Sequence, residues 1–72
     1  MKKINKIEIK VNGKFKFIPE NYKISNLVTD LNIPLKKVAI ELNQEIIDKK
    51  KISKIILKKN DKIEIVHFIG GG

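Results

Sequence analysis

The feature that most constrains the fold is a single stripe of apolar residues at helical spacing. It is flanked by short segments in which apolar and polar residues alternate. Four apolar residues recur at i, i+3, i+4 and i+7, the spacing of an amphipathic helix: Ile24, Leu27, Val28 and Leu31. We place this helix at roughly 24–32, with Ser25 as its N-cap or a start one or two residues earlier as the alternative. Asn32 suits its C-terminal cap, and Pro34 prevents continuation. One short helix in a chain of 72 residues can bury that stripe only against a sheet of the same domain.

Alternation with period two, which is typical of half-buried strands, occurs on both sides of the helix. The alternating runs are 7–11, 15–18, 38–42 and 63–68, and 46–47 is a candidate short strand. The lysine-rich segment Lys49 to Lys59 predicts a connection with one helical turn. Its apolar residues are expected to cover an open end of the core, and they are Ile52, Ile55, Ile56 and Leu57. The order β-β-α-β-(β)-β therefore predicts an α+β fold, in which a mixed sheet of four to five strands packs on one main helix.

The first two strands meet at Asn12-Gly13, the strongest short signal for a hairpin. A two-residue loop there would put Phe15 and Phe17 on the face opposite to Ile9, because a shift of one residue turns every side chain over. We therefore predict a three-residue connection or a glycine bulge. The predicted core is Ile7, Ile9, Phe15, Phe17, Leu27, Leu31, Ile40, Ile63 and Ile65.

Composition narrows the function classes. The chain has no cysteine, which excludes a disulfide, a thiolate metal site and a thiol nucleophile, and we expect no metal. No run approaches the ~18 apolar residues of a membrane span. The stretch Met1 to Asn5 lacks the apolar core of a signal peptide, so we expect a soluble cytoplasmic protein.

The charge is strongly basic, with a net value of +8, yet all sixteen cationic residues are lysine. Arginine dominates specific recognition of phosphates and bases, whereas lysines alone attract polyanions without specificity. Aromatic residues that could stack on bases are also few. We therefore interpret the cluster Lys49 to Lys51 as solvated surface, and binding of nucleic acid as the less favoured alternative.

The C-terminal sequence carries the functional hypothesis. Gly70, Gly71 and Gly72 lack a Cβ, so such a tail can enter a slot too narrow for side chains, and the α-carboxylate of Gly72 is its one reactive group. We divide the chain into a domain at 1–69 and a flexible reactive tail at 70–72. A frayed end or an expression scar is the alternative explanation of the three glycines.

The residues before the glycines are candidates for binding a partner. Phe68 and Ile69 form an aromatic and aliphatic pair beside the tail, and such side chains dominate interface energetics. For Phe68 the alternative is that it caps the core of its own domain. His67 is the only histidine, and a strand histidine without chemistry is the commoner case.

The ending Ile63 to Gly72 closely resembles the C-terminus of the ThiS family, the bacterial sulfur carrier proteins of thiamine thiazole synthesis. The resemblance covers the whole chain. Asn12 to Lys14 lies where that family has its first turn, Ile24 to Leu31 matches its helix, and Leu42 to Ile47 matches its central turn. At Asn60-Asp61 the family often has Gly-Asp, and asparagine can adopt the same left-handed backbone conformation.

The resemblance implies a ubiquitin-like β-grasp fold and a carrier that is not itself an enzyme. An E1-like adenylating enzyme that uses ATP would convert the Gly72 carboxylate to an acyl-adenylate. Sulfur from cysteine, delivered by a donor such as a cysteine desulfurase, would then give a thiocarboxylate from which thiazole synthase takes the sulfur. No cofactor would be bound stably. A related carrier for molybdopterin or another sulfur pathway stays open as an alternative.

Overall fold

A computed structural model describes residues 5–68 as one five-stranded sheet with a helix on one of its faces. The elements are β1 Lys6–Val11, β2 Lys14–Pro19, α1 Ile24–Asp30, a 3-10 helix Leu35–Lys37, β3 Val38–Leu42, β4 Glu45–Ile46, a second 3-10 helix Lys49–Lys51 and β5 Lys62–His67. The strand order is β2-β1-β5-β3-β4, in which β1 and β5 are parallel and the other neighbours are antiparallel. The predicted mixed sheet on one main helix is confirmed.

The core lies between α1 and the inner sheet face. Its buried side chains are Ile9, Ile18, Ile24, Leu27, Val28, Val38, Ile40, Ile52, Leu57 and Ile63. Ile7 and Ile65 pack against this cluster while remaining half-buried. Ile52 and Leu57 come from the segment between β4 and β5, which confirms that this connection covers an end of the core.

The prediction for the first hairpin is wrong. Asn12 and Gly13 form a two-residue turn with φ of 51° and 82°, and Val11 pairs directly with Lys14. Positive φ at both central residues is what a type I′ turn requires, and asparagine followed by glycine supplies it. The turn therefore determines the register.

The same register contradicts the predicted burial of two aromatic residues. Phe15 and Phe17 lie opposite Lys10 and Glu8 on the outer face of the sheet, and each is 65% exposed. Ile18, which has the other parity, faces the helix instead and is 1% exposed. One isoleucine of β2 thus fills the space that the two phenylalanines were expected to fill.

The ends of α1 differ in part from the prediction. Lys23, not Ser25, is the N-cap, and its backbone N–H donates to Asn26 Oδ1 at 2.8 Å. Asn32 follows the C-cap with φ of 52°, as its role in ending the helix requires, and its backbone N–H donates to the carbonyl of Thr29.

Leu31 was predicted to be buried and is 42% exposed. It is the C-cap residue of α1, so it lies where the helix ends and its regular face is no longer continued. Ile33 and Leu35, from the segment that follows, pack against the core at this end of the helix.

Candidate functional site at the end of β5

The candidate site is the end of β5, which we call the tail root and define as Val66, His67 and Phe68. On one side β3 holds the strand to its last residue, since His67 pairs with Val38. The backbone N–H of Phe68 then donates to the carbonyl of Lys37 at 2.8 Å, so the hydrogen bonding continues one residue past the strand. The chain is therefore anchored up to the last described residue.

On the other side of β5, residues of the hairpin turn continue the hydrogen bonding beyond the end of β1. The backbone N–H of Asn12 donates to the carbonyl of Ile63 at 2.9 Å, and Asn12 Oδ1 accepts from the backbone N–H of Ile65 at 2.7 Å. A side chain thus provides the acceptor that a longer β1 would have provided. The sequence assigned Asn12 to the turn alone, and no local signal connects it to a residue 53 positions away.

Two side chains of the tail root present apolar surface. Phe68 is 51% exposed and Val66 is 49% exposed. The exposure of Phe68 favours the partner-binding hypothesis over the alternative that this ring caps the core. Val66 was not singled out from the sequence, although its parity, opposite to that of Ile63 and Ile65, is the signal that would have found it.

The roles of the remaining predicted site residues are not decided by the structure. Ile69, Gly70, Gly71 and Gly72 lie outside the described residues, so their proposed roles stay predictions. His67 is exposed at the strand end, and its role also stays a prediction.

The described residues, 5–68, also bear on metal binding and on membrane insertion. In that range no group of three or more histidine, cysteine, aspartate or glutamate side chains could hold a metal ion. None of the helices described has both the length and the apolar composition needed to cross a membrane. The geometry provides the end of a central strand, anchored by hydrogen bonds up to Phe68, with apolar side chains exposed beside it.

Comparison with known proteins adds a family relationship. The sequence model of the ThiS family matches residues 3–72, which includes the terminal glycines. The chain is 38% identical over 65 residues to the sulfur carrier protein ThiS of Bacillus subtilis, and the match covers 89% of this chain and 98% of that protein.

Two further similarities are to part of a larger protein and to a solved structure. Thiazole synthase of Paramagnetospirillum magneticum is 33% identical over 66 residues, but the match spans only 20% of that protein. The crystal structure of the thiamine biosynthesis protein ThiS from Geobacter metallireducens superimposes with a TM-score of 0.80 at 28% identity, covering 92% of this chain and 100% of that one.

Proposed function

The chain belongs to the ThiS family, and we propose that it is a sulfur carrier protein of thiamine biosynthesis whose cargo is attached at Gly72. The observation that carries this proposal is that the family match runs through the three terminal glycines and does not stop at the folded domain. The anchored tail root supports it, because residues that follow a fixed strand end can be delivered into the active site of another protein when that strand end docks.

The proposed chemistry begins with activation of the α-carboxylate of Gly72. A carboxylate is a poor electrophile until one of its oxygens becomes part of a good leaving group. Attack of a carboxylate oxygen on the α-phosphorus of ATP forms the acyl-adenylate and releases pyrophosphate. A sulfur nucleophile then attacks the carbonyl carbon, and AMP leaves with that oxygen. If the nucleophile is hydrosulfide, the thiocarboxylate results directly. If it is a persulfide, an acyl disulfide forms first, and a thiol reductant cleaves its S–S bond to leave the thiocarboxylate and a disulfide.

Three partners follow from this sequence of reactions. An E1-like adenylating enzyme would bind the ATP, a cysteine-derived donor such as a cysteine desulfurase would supply the sulfur, and thiazole synthase would accept it. The similarity to part of a protein named thiazole synthase supports the last of these, because carrier and acceptor sequences then occur in one chain.

Docking on these partners is assigned to the tail root together with Ile69. Fixing the backbone of one residue costs about 1–2 kcal/mol of conformational entropy, and docking of the folded domain can offset that cost for the residues of the tail. The exposed Phe68 and Val66 supply the apolar contact. The glycines then allow the chain to enter a narrow channel.

The test is intact-mass spectrometry after incubation with the adenylating enzyme, ATP and a sulfur source. We expect the chain to gain the mass of one exchange of oxygen for sulfur, localised to the C-terminal peptide. Gly71→Val, deletion of Gly72 and addition of one residue after Gly72 should each fold normally and stay unmodified. The last two move the carboxylate by about 3.3–3.6 Å, which misplaces it for attack on ATP.

A matched pair of substitutions tests docking. Phe68→Asp and Phe17→Asp each replace an exposed phenylalanine with a carboxylate side chain, and they change the net charge equally. Only Phe68→Asp should slow modification, because a desolvated carboxylate opposes docking beside the tail.

Modification at any residue other than Gly72, or full modification of the chain extended by one residue, would contradict the carrier function.

A further inference from the structure

One of the three consecutive lysines differs from its neighbours. Lys49 is half-buried, whereas Lys50 and Lys51 are exposed. The ammonium group of Lys49 donates to the backbone carbonyl of Leu35 at 2.6 Å. The same Lys49 Nζ lies 5.2 Å from the centroid of the Phe68 ring, within the range of a cation–π interaction.

The backbone beneath Lys49 is itself held in place. Asp48 is the N-cap of the second 3-10 helix, and its Oδ1 accepts from the backbone N–H of Lys50 at 2.9 Å. The backbone carbonyl of Asp48 accepts from the N–H of Lys51, also at 2.9 Å. The lysine therefore extends from a closed turn and not from a loose loop.

Phe68 thus makes two contacts, one through its backbone and one through its ring, and both lead to the segment before β3. Its backbone N–H donates to the carbonyl of Lys37, and its ring lies under an ammonium group that is bonded to the carbonyl of Leu35. Leu35 and Lys37 are the two ends of one 3-10 helix. The backbone contact determines where the chain leaves the sheet, and the ring contact limits how the side chain rotates about that point.

We propose that Lys49 is a positioning residue for the reactive tail, acting through the ring of Phe68. This inference rests on the proposed function, since it concerns how the carrier presents Gly72 to its adenylating enzyme. A tail root that is already ordered loses less conformational entropy when it docks. Lys49 therefore strengthens binding to the enzyme and leaves the chemical step unchanged once the tail is in the active site.

Three variants separate this role from general charge and from folding. Lys49→Met keeps an apolar stem of similar length but removes the ammonium group, and Lys49→Arg keeps a cation that can donate to Leu35 and stack on Phe68. Lys50→Met removes the same charge from an exposed neighbour and is the matched control. Thermal melts of all three establish that each variant is folded.

The local readout is hydrogen exchange of the Phe68 amide, measured by NMR. In Lys49→Met we expect exchange at Phe68 to accelerate by about threefold to fivefold, the size that an exposed cation–π contact supports, with the amides of β1 unchanged. Lys49→Arg and Lys50→Met should exchange like the unsubstituted chain. Equal protection of Phe68 in Lys49→Met and Lys50→Met would overturn the proposal, even if the chain is never modified by an adenylating enzyme.

The functional readout is the rate of pyrophosphate release at varied carrier concentration. Lys49→Met should raise KM for the carrier by about threefold to fivefold with kcat unchanged, and Lys49→Arg should restore it. A fall in kcat at constant KM, or a KM equal to that of Lys50→Met, would overturn the positioning role while leaving the carrier function intact. Absence of any modification of the unsubstituted chain would overturn the proposed function. The hydrogen-exchange experiment would still show whether Lys49 orders Phe68.

Discussion

Asparagine takes the place of glycine at most of the left-handed backbone positions of the described chain. The asparagines with positive φ are Asn12, Asn21, Asn32, Asn43 and Asn60. Asparagine tolerates this region better than other residues with a Cβ, which is why the sequence alone predicted the roles of Asn32 and Asn60. At Asn60 the φ of 71° shows that the departure from the Gly-Asp of the family preserves the turn, and Asp61 Oδ2 accepts from the N–H of Lys58 at 2.8 Å.

Tyr22 provides a prediction at the scale of one residue. Its hydroxyl donates to Asp30, and partial burial, this hydrogen bond and the charge of Asp30 raise the pKa of Tyr22 from 10.0 to about 12. Because Tyr22 is the only tyrosine, ultraviolet titration of the phenolate reports this group directly. We expect Asp30→Asn to lower the pKa toward 10, and an equal pKa in both proteins would contradict the contact.

The raised pKa of Tyr22 also sets the sign of a stability effect at high pH. The folded state holds the phenol proton more tightly than the unfolded state, so the stabilisation is complete below pH 10 and is lost as the pH rises toward 12. Urea unfolding across this window should show a steeper loss of stability for the unsubstituted chain than for Tyr22→Phe. The phenylalanine variant also serves as the control for the lysines that titrate in the same range.

At the scale of the elements, the first hairpin shows which sequence signal has priority. β2 contains two apolar sets of opposite parity, Phe15 with Phe17 and Ile18 alone. The prediction gave priority to the larger aromatic set and changed the turn to fit it. In the structure the turn chemistry of Asn12-Gly13 prevails, since the twist of a type I′ turn matches that of the strands it joins.

The register of this hairpin is testable by stability. Ile18→Ala should cost about 2–5 kcal/mol of unfolding free energy, because it opens a cavity in the core at a side chain that is 1% exposed. Phe17→Ala removes a larger side chain but should cost under about 1 kcal/mol, the range of cross-strand pairs on an exposed face. Urea denaturation followed by circular dichroism measures both. A larger loss for Phe17→Ala than for Ile18→Ala would mean that the aromatic face is the buried one.

Parts of the candidate site could be predicted from the sequence, and parts could not. The tail and Phe68 were identified because the ending is distinctive within the chain itself. Lys49 could not be distinguished from Lys50 and Lys51, because three identical residues in a row carry no local signal of which one is turned inward. Asn12 likewise acquires its contacts with Ile63 and Ile65, just before the tail root, only when the sheet brings β5 beside the hairpin turn.

For the whole molecule, the dominant feature is charge. The net charge of +8 is carried by lysines, and exposed ones lie on β1, β2, both 3-10 helices, the connection after them and the start of β5. Lysines distributed over so many elements repel one another more in the compact state than in the expanded chain. The charge therefore acts mainly on stability and solubility, which agrees with the interpretation of the exposed lysines as solvated surface. Within the cluster Lys49 to Lys51 that interpretation is wrong for Lys49, which is half-buried and donates to the carbonyl of Leu35.

Salt should accordingly stabilise the fold. Raising sodium chloride from about 0.01 M to about 0.1 M shortens the Debye length from about 30 Å to about 10 Å, which screens lysines on different elements from one another. We expect Tm to rise by about 2–8 °C, which corresponds to about 0.5–1 kcal/mol in a domain of this size.

The double variant Lys54→Glu and Lys59→Glu, at two exposed positions, lowers the net charge by four and should show a smaller rise. Thermal melts followed by circular dichroism at fixed pH measure both proteins. If salt left Tm unchanged in the unsubstituted chain, or raised it equally in the double variant, repulsion among the lysines would not be what limits the stability of this domain.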